Sequence, residues 1–176
     1  SMALVLSKDG NPDIYLLNLK SRALTRLTRH FAIDTEPTWM PDGKSLLFTS
    51  DRGGRPQIYR YDLRTQKIQR VTFEGRYNAR ARVARDGRNV ALVHQRDGRY
   101  HIAVFDLVTD RLTVLTETSL DESPSIAPNG SIVLYATKRG EDSILGAVAV
   151  DGGVRFSLPA RQGSVQEPAW SPYVTP

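Results

Sequence analysis

The sequence predicts an all-β fold, a β-propeller of four-stranded antiparallel blades. Three observations carry this. Sequence markers recur in phase, with turn glycines at 43, 87 and 130, spacings of 44 and 43 residues. Each period holds four short β-rich runs and no helical periodicity. Pro, Asp, Asn and Gly separate the runs. A period of this size belongs to a propeller, array or solenoid, and short β-branched runs exclude helical repeats.

The markers are explicit. Glu36-Pro37-Thr38-Trp39-Met40-Pro41-Asp42-Gly43 aligns with Arg80-Ala81-Arg82-Val83-Ala84-Arg85-Asp86-Gly87 and with Ser123-Pro124-Ser125-Ile126-Ala127-Pro128-Asn129-Gly130. Glu167-Pro168-Ala169-Trp170-Ser171-Pro172 begins a fourth copy. A second marker is Leu27-Thr28, Val71-Thr72, Leu115-Thr116 and Leu158-Pro159. A third is Ile14-Tyr15, Ile58-Tyr59 and Ile102-Ala103, each leading to Asn18, Asp62 or Asp106.

Within one period the elements follow in order. The first strand lies around Glu36–Met40, and Pro41-Asp42-Gly43 supplies the positive-φ residue of a tight hairpin. Ser45–Thr49 is a buried second strand. Asp51–Arg55 turns the chain, and Gln57–Asp62 alternates apolar and polar as a third strand. Arg64-Thr65-Gln66 turns again into Lys67–Thr72, the fourth. The expected blades are 35–72, 78–116 and 122–159. Ala3–Leu6 aligns with second strands and Val165–Tyr173 with first strands. Segments 3–28 and 165–173 are therefore expected to make one further blade together, sealing a ring within a single domain of residues 1–176.

Composition sets limits on function. Of 176 residues, 40% are hydrophobic and 24% charged, a balance suited to a globular domain. The net charge of +5 is spread over many arginines without a block of like charge, which argues against nucleic-acid binding. Cysteine is absent, so disulfides, thiolate zinc sites and cysteine nucleophiles are excluded. No apolar run reaches the roughly 18 residues of a membrane span. Ser1-Met2 reads as a cloning scar before a chosen start, so a longer natural protein is expected.

Catalytic signals are weak. His30, His94 and His101 occupy non-equivalent repeat positions, and Ser125 and Ser171 lack a nucleophile elbow. Gly53-Gly54 and Gly152-Gly153 read as hairpin turns rather than phosphate cradles. Glu36 and Glu167 share a repeat position and Glu122 stands one residue off it, all near the channel mouth. Their structural reading is hydrogen bonding to turn and neighbouring-blade amides. The alternative is an acidic rim holding a hard cation such as Ca²⁺, weakened because Arg80 interrupts the series and would pair with its neighbours. Cofactors are otherwise expected to be none. Asp42 and Asp86 read as turn formers, Asn18, Asp62 and Asp106 as strand-end hydrogen-bonders, and Trp39 and Trp170 as packing between blades. Tyr77 suits packing or a partner contact equally.

Asp34–Gly43, Phe48–Tyr59, Leu120–Gly130 and Pro168–Tyr173 resemble the C-terminal β-propeller of the TolB family. That resemblance covers nearly the whole chain. It implies a periplasmic, non-enzymatic component of the Tol-Pal system, with links to cell division and bacteriocin transport. It also implies a six-bladed ring behind a smaller N-terminal domain, so the chain reads as a four-repeat fragment. Two closures are expected: a monomeric four-bladed ring, or a homodimer closing eight blades. Blades in a six-membered ring take about 60° each, in a four-membered ring about 90° and in an eight-membered ring about 45°. The smaller change in close-packed interfaces favours the dimer.

Propellers bind where loops of successive blades converge. Here these loops are His30–Glu36, Glu74–Arg80, Thr118–Ser123 and Gln162–Glu167, of mixed charge and suited to a protein ligand. The resemblance implies that this face docks Pal, other Tol proteins and colicin-type toxins. By motif it places Thr35 first among contact residues. Asp34, Glu36, Tyr77, Asn78, Asp121 and Glu122 follow by repeat geometry. The rival reading is a small-ligand, sugar-binding or hydrolytic propeller using the channel-mouth carboxylates.

Overall fold

The computed structural model describes the chain except residues 9, 119, 160–162 and 172–176. Among the described residues there are fifteen strands and no helix. In chain order they are β1 (Met2–Leu6), β2 (Asp13–Leu17), β3 (Leu24–Arg26), β4 (Asp34–Trp39), β5 (Ser45–Ser50), β6 (Gln57–Asp62), β7 (Ile68–Arg70), β8 (Asn78–Val83), β9 (Asn89–Arg96), β10 (Arg99–Asp106), β11 (Arg111–Val114), β12 (Asp121–Ile126), β13 (Ile132–Arg139), β14 (Asp142–Ala149) and β15 (Arg155–Pro159). They form four antiparallel sheets in meander order: β1-β2-β3, β4-β5-β6-β7, β8-β9-β10-β11 and β12-β13-β14-β15. The first sheet has three strands. Residues 165–171, where most of a completing first strand is expected, carry no strand assignment, and residues 172 and 173 of that segment lie outside the described residues.

The chain divides into two compact units, Ser1–Ala81 and Arg82–Pro176, with the boundary inside β8. In the first unit, Ile14, Leu46, Phe48, Tyr59 and Tyr61 form a buried cluster. Ala3, Leu27, Trp39, Leu63 and Ile68 pack against it, which gives Trp39 its packing role. All six residues of β5 are buried, with Leu46, Leu47 and Phe48 contiguous at its centre and polar Ser45, Thr49 and Ser50 at its ends. Full burial of a side chain such as Phe48 contributes about 1.5–3 kcal/mol. In the second unit, β9 and β10 pack against β12. There Gly146 lies under the Tyr135 ring. A Cβ at this position would meet ring carbons at 2.4 to 2.8 Å.

The recurring turns follow from side-chain chemistry. Gly43, Gly87 and Gly130 have φ of 66°, 70° and 73°, and their N–H groups bond back to Met40, Ala84 and Ala127. Asp42, Asp86 and Asn129 accept from the backbone N–H two residues on, at 2.9, 2.8 and 3.1 Å. Such side-chain turns are what Asp and Asn provide. At the outer turns Asn18 and Asp106 also accept from the N–H two residues on, and Asp62 from that of Thr65, three residues on.

The Leu-Thr marker also acquires a physical reason. The Thr28, Thr72 and Thr116 hydroxyls accept from the N–H of Ile14, Ile58 and Ile102 at 2.9, 3.0 and 2.9 Å. Each latch ties the end of the outer strand to the strand it pairs with in its own sheet. The fourth repeat has Pro159 there, with no hydroxyl.

Candidate functional site

The first strands begin with a buried polar residue and then enter the left-handed region two residues later. Asp34, Asn78 and Asp121 are each wholly buried. Glu36, Arg80 and Ser123 have φ of 55°, 58° and 54°, and Glu167 has 45°. The left-handed conformation costs an L-residue about 1–2 kcal/mol. Its repetition at one position therefore needs a local return. In β4 and β12 that return is a bulge: register shifts between Thr35 and Thr38 and between Glu122 and Ser125. Each bulge contains a proline, Pro37 or Pro124, whose missing N–H a bulge tolerates.

Around β4 the bulge aims Glu36 at its neighbours. Its Oε2 accepts from the Thr49 hydroxyl at 2.8 Å and from the Arg80 backbone N–H at 3.0 Å. Its Oε1 lies 3.2 Å from Arg80 Nε. Arg80 thus pairs with the carboxylate one repeat earlier. In the second unit Glu167 Oε1 accepts from the Ser123 hydroxyl at 2.9 Å. Among the described residues no three His, Asp or Glu side chains gather as a metal site.

Asp34 sits beneath the loop rather than on it. Arg52 Nη2 reaches its two carboxylate oxygens at 2.9 and 2.7 Å, while Arg52 Nε donates to the Ser50 hydroxyl at 3.0 Å. The guanidinium lies over the Phe48 and Tyr59 rings, 5.3 and 5.2 Å from their centroids. Asn78 Nδ2 donates to Gln57 Oε1 at 2.9 Å and to the Glu74 carbonyl at 2.8 Å. Asp121 accepts from the Thr116 and Thr118 hydroxyls. These three residues pin loops from below.

Thr35, Glu36, Tyr77 and Glu122 are half-buried. Thr35 pairs with Thr49 across β4 and β5, and Glu122 with Ala136 across β12 and β13. In the first unit the structure brings Thr35 and Glu36 beside the start of β8. The exposed large apolar side chains in and beside the loops of the first unit are others. Phe31 is 87% exposed, Phe73 71% and Ile33 49%. The His30 and Phe31 ring centroids are 4.3 Å apart, and the Arg70 guanidinium lies 4.8 Å from the Phe73 centroid. Phe73 escapes notice in the sequence because it abuts the Thr72 latch and reads as the tail of a strand. Its lack of an apolar counterpart at Arg29 or Glu117 was the available signal.

A family model described as the TolB beta propeller domain matches residues 1–174. The chain belongs to the TolB β-propeller family. Its four sheets are blades of that fold. The Tol-Pal system protein TolB of Legionella pneumophila (strain Paris) is 57% identical over 61 residues, 35% of this chain and 15% of that protein. The TolB of Marinomonas sp. (strain MWYL1) is 62% identical over 60 residues, 34% of this chain and 14% of that protein. The crystal structure of TolB from Acinetobacter baumannii superposes with a TM-score of 0.93 at 48% identity, covering 98% of this chain and 43% of that one. The chain therefore spans less than half of that TolB. An oligogalacturonate lyase at 20% identity, TM-score 0.68, covers 98% of this chain and 50% of its own, and shares the fold alone.

Proposed function

We propose that the protein is a non-enzymatic docking module of the Tol-Pal system, working in the periplasm and receiving the Pal lipoprotein on the loops that lead into its first strands. The observation that carries this is the set of exposed apolar side chains Phe31, Ile33 and Phe73 beside half-buried Thr35 and Tyr77. Aromatic side chains held on rigid loops are the usual anchors of protein interfaces. Membership of the TolB family supports Pal as the partner, with other Tol proteins and colicin-type toxins as further users of the same surface. Thr35, Glu36, Tyr77 and Glu122 are the contact residues of this reading. Asp34, Asn78 and Asp121 serve it by holding the loops.

The carboxylates favour docking over a hydrolytic or sugar-binding channel. Glu36 is committed to Thr49 and Arg80, and Glu167 to Ser123. Calorimetric titration with purified Pal tests the site. Thr35→Arg is expected to weaken binding by more than about tenfold, since a long cation must be desolvated there. Unchanged affinity would refute it.

We also infer that segment 165–173 acts as a first strand, completing the sheet β1-β2-β3 of a second copy. Glu167 already holds the left-handed conformation of Glu36, Arg80 and Ser123, which supports this. Sedimentation equilibrium is expected to report a dimer, and a monomer mass would overturn the exchange.

A further inference from the structure

The β9–β10 hairpin turns through Asp97 and Gly98, with φ of 53° and 75°, the two positive values of a type I′ turn. That turn sets a register in which Arg96 faces Arg99 and His94 faces His101. Side chains alternate along a strand, so all four lie on one face of the hairpin. Two histidines at unrelated repeat positions thus become neighbours beneath two arginines.

His101 is 4% exposed, and its Nδ1 is buried with no hydrogen-bond partner. Comparison with the other sheets explains why. Asp13 and Gln57 stand at the corresponding position, and each accepts from the latch threonine of its sheet, Thr28 at 3.1 Å and Thr72 at 2.8 Å. In the third sheet Thr116 donates to Asp121 instead. His101 is released from the structural role its counterparts perform. An orphaned polar atom in such a place is unfavourable unless a ligand satisfies it.

A cavity of about 520 Å³ opens above His101, lined by Arg96, Asp97, Arg99 and Glu117 as well. Among the described residues neither Arg96 nor Arg99 has an ion pair or hydrogen bond from its guanidinium. Like charges set directly across a ladder are unfavourable unless neutralised. We propose that this cavity is a carboxylate-binding site, in which the His101 imidazole and the Arg96 and Arg99 guanidiniums donate to one carboxylate group. Asp97 and Glu117 balance the two arginines, so the lining has no net charge with His101 neutral. That balance opposes a phosphate dianion more than a carboxylate monoanion. The carboxylate is that of an acidic side chain or chain terminus, or of a free small acid. The site lies in the second unit and does not depend on the docking of Pal.

The test is an NMR titration of the folded protein, following the His101 ring signals with acetate, acetamide and inorganic phosphate as separate probes. A saturable shift with acetate alone is expected. Arg96→Gln and Arg99→Gln, both at exposed positions, should each weaken it by about tenfold, the worth of one charge-assisted fork. Repeating the titration with a peptide blocked at both ends and carrying one glutamate distinguishes sources. Tighter binding than acetate assigns the site to a protein carboxylate, and equal or weaker binding to a small acid. No His101 shift, equal shifts with acetamide, tighter binding of phosphate, or indifference to both arginine substitutions would each overturn the assignment.

Discussion

Replacing Asp34 separates a pinned loop from a contacted one. Its carboxylate is wholly buried and receives Arg52 at 2.9 and 2.7 Å, while the Arg52 side chain is 15% exposed. Asp34→Ala leaves that cation over the Phe48 and Tyr59 rings with only Ser50 as a hydrogen-bond partner. Breaking a buried pair by removing one member costs about 3–5 kcal/mol. Partial access of Arg52 to water places this case near the lower end, about 3 kcal/mol. For a chain of this length that lowers Tm by roughly 6–12 °C. Thermal unfolding by circular dichroism reads it. The double variant Asp34→Ala with Arg52→Met should recover part of the loss, because an apolar side chain replaces the stranded cation on the same rings. A Tm within about 1 °C of wild type, or a double variant worse than the sum of the singles, would refute the clamp. So would weaker Pal binding at full stability, since Asp34 would then touch the partner directly.

Other outcomes follow from the same geometry. Phe31→Ala combined with Phe73→Ala should weaken Pal binding by more than about tenfold in calorimetry while leaving Tm unchanged, since both rings are exposed and their loss opens no cavity. Gly146→Ala should destabilise by about 1–3 kcal/mol in urea unfolding, because its Cβ would sit 2.4 Å from a Tyr135 ring carbon in a buried site. The Arg88 hydrogen bonds hold the Asp106 carboxyl well below the usual carboxylate range, outweighing the opposing effect of desolvation. A depressed folded-state pKa stabilises above the unfolded value of about 3.9 and loses that effect as pH falls through the folded value. Arg88→Ala should therefore move the Asp106 carboxyl titration upward by NMR. Any stability difference from wild type should be present at neutral pH and fade well below pH of about 4.

Much of the fold was legible because its causes are local. A Pro-Asp-Gly triplet, an Asx turn and an alternating run each act over a few residues, and their recurrence at one period names the repeat. The Leu-Thr marker was visible as a pattern, although its latch to Ile14, Ile58 and Ile102 was not. The candidate site was legible as a place and less so as chemistry. Asp34, Asn78 and Asp121 stand at equivalent positions in loops, which suggests exposure, yet each turns inward: Asp34 to Arg52 just past the neighbouring strand, Asn78 to Gln57 of the preceding sheet, and Asp121 to Thr116 and Thr118 of the segment before it. Phe73 does the reverse, an apolar residue beside a strand that faces outward.

The histidines show the division most plainly. The sequence alone determined the hairpin, since Asp97-Gly98 between two alternating runs admits one tight turn and one register. From that register His94 and His101 could have been paired. Only the tertiary structure decided that the Thr116 hydroxyl turns to Asp121 and leaves His101 Nδ1 without a bond, because the choice depends on where the loop after β11 brings a carboxylate. Strand and turn preferences are set within a few residues of chain, whereas the partner of a buried polar atom is set by which distant segment reaches it first.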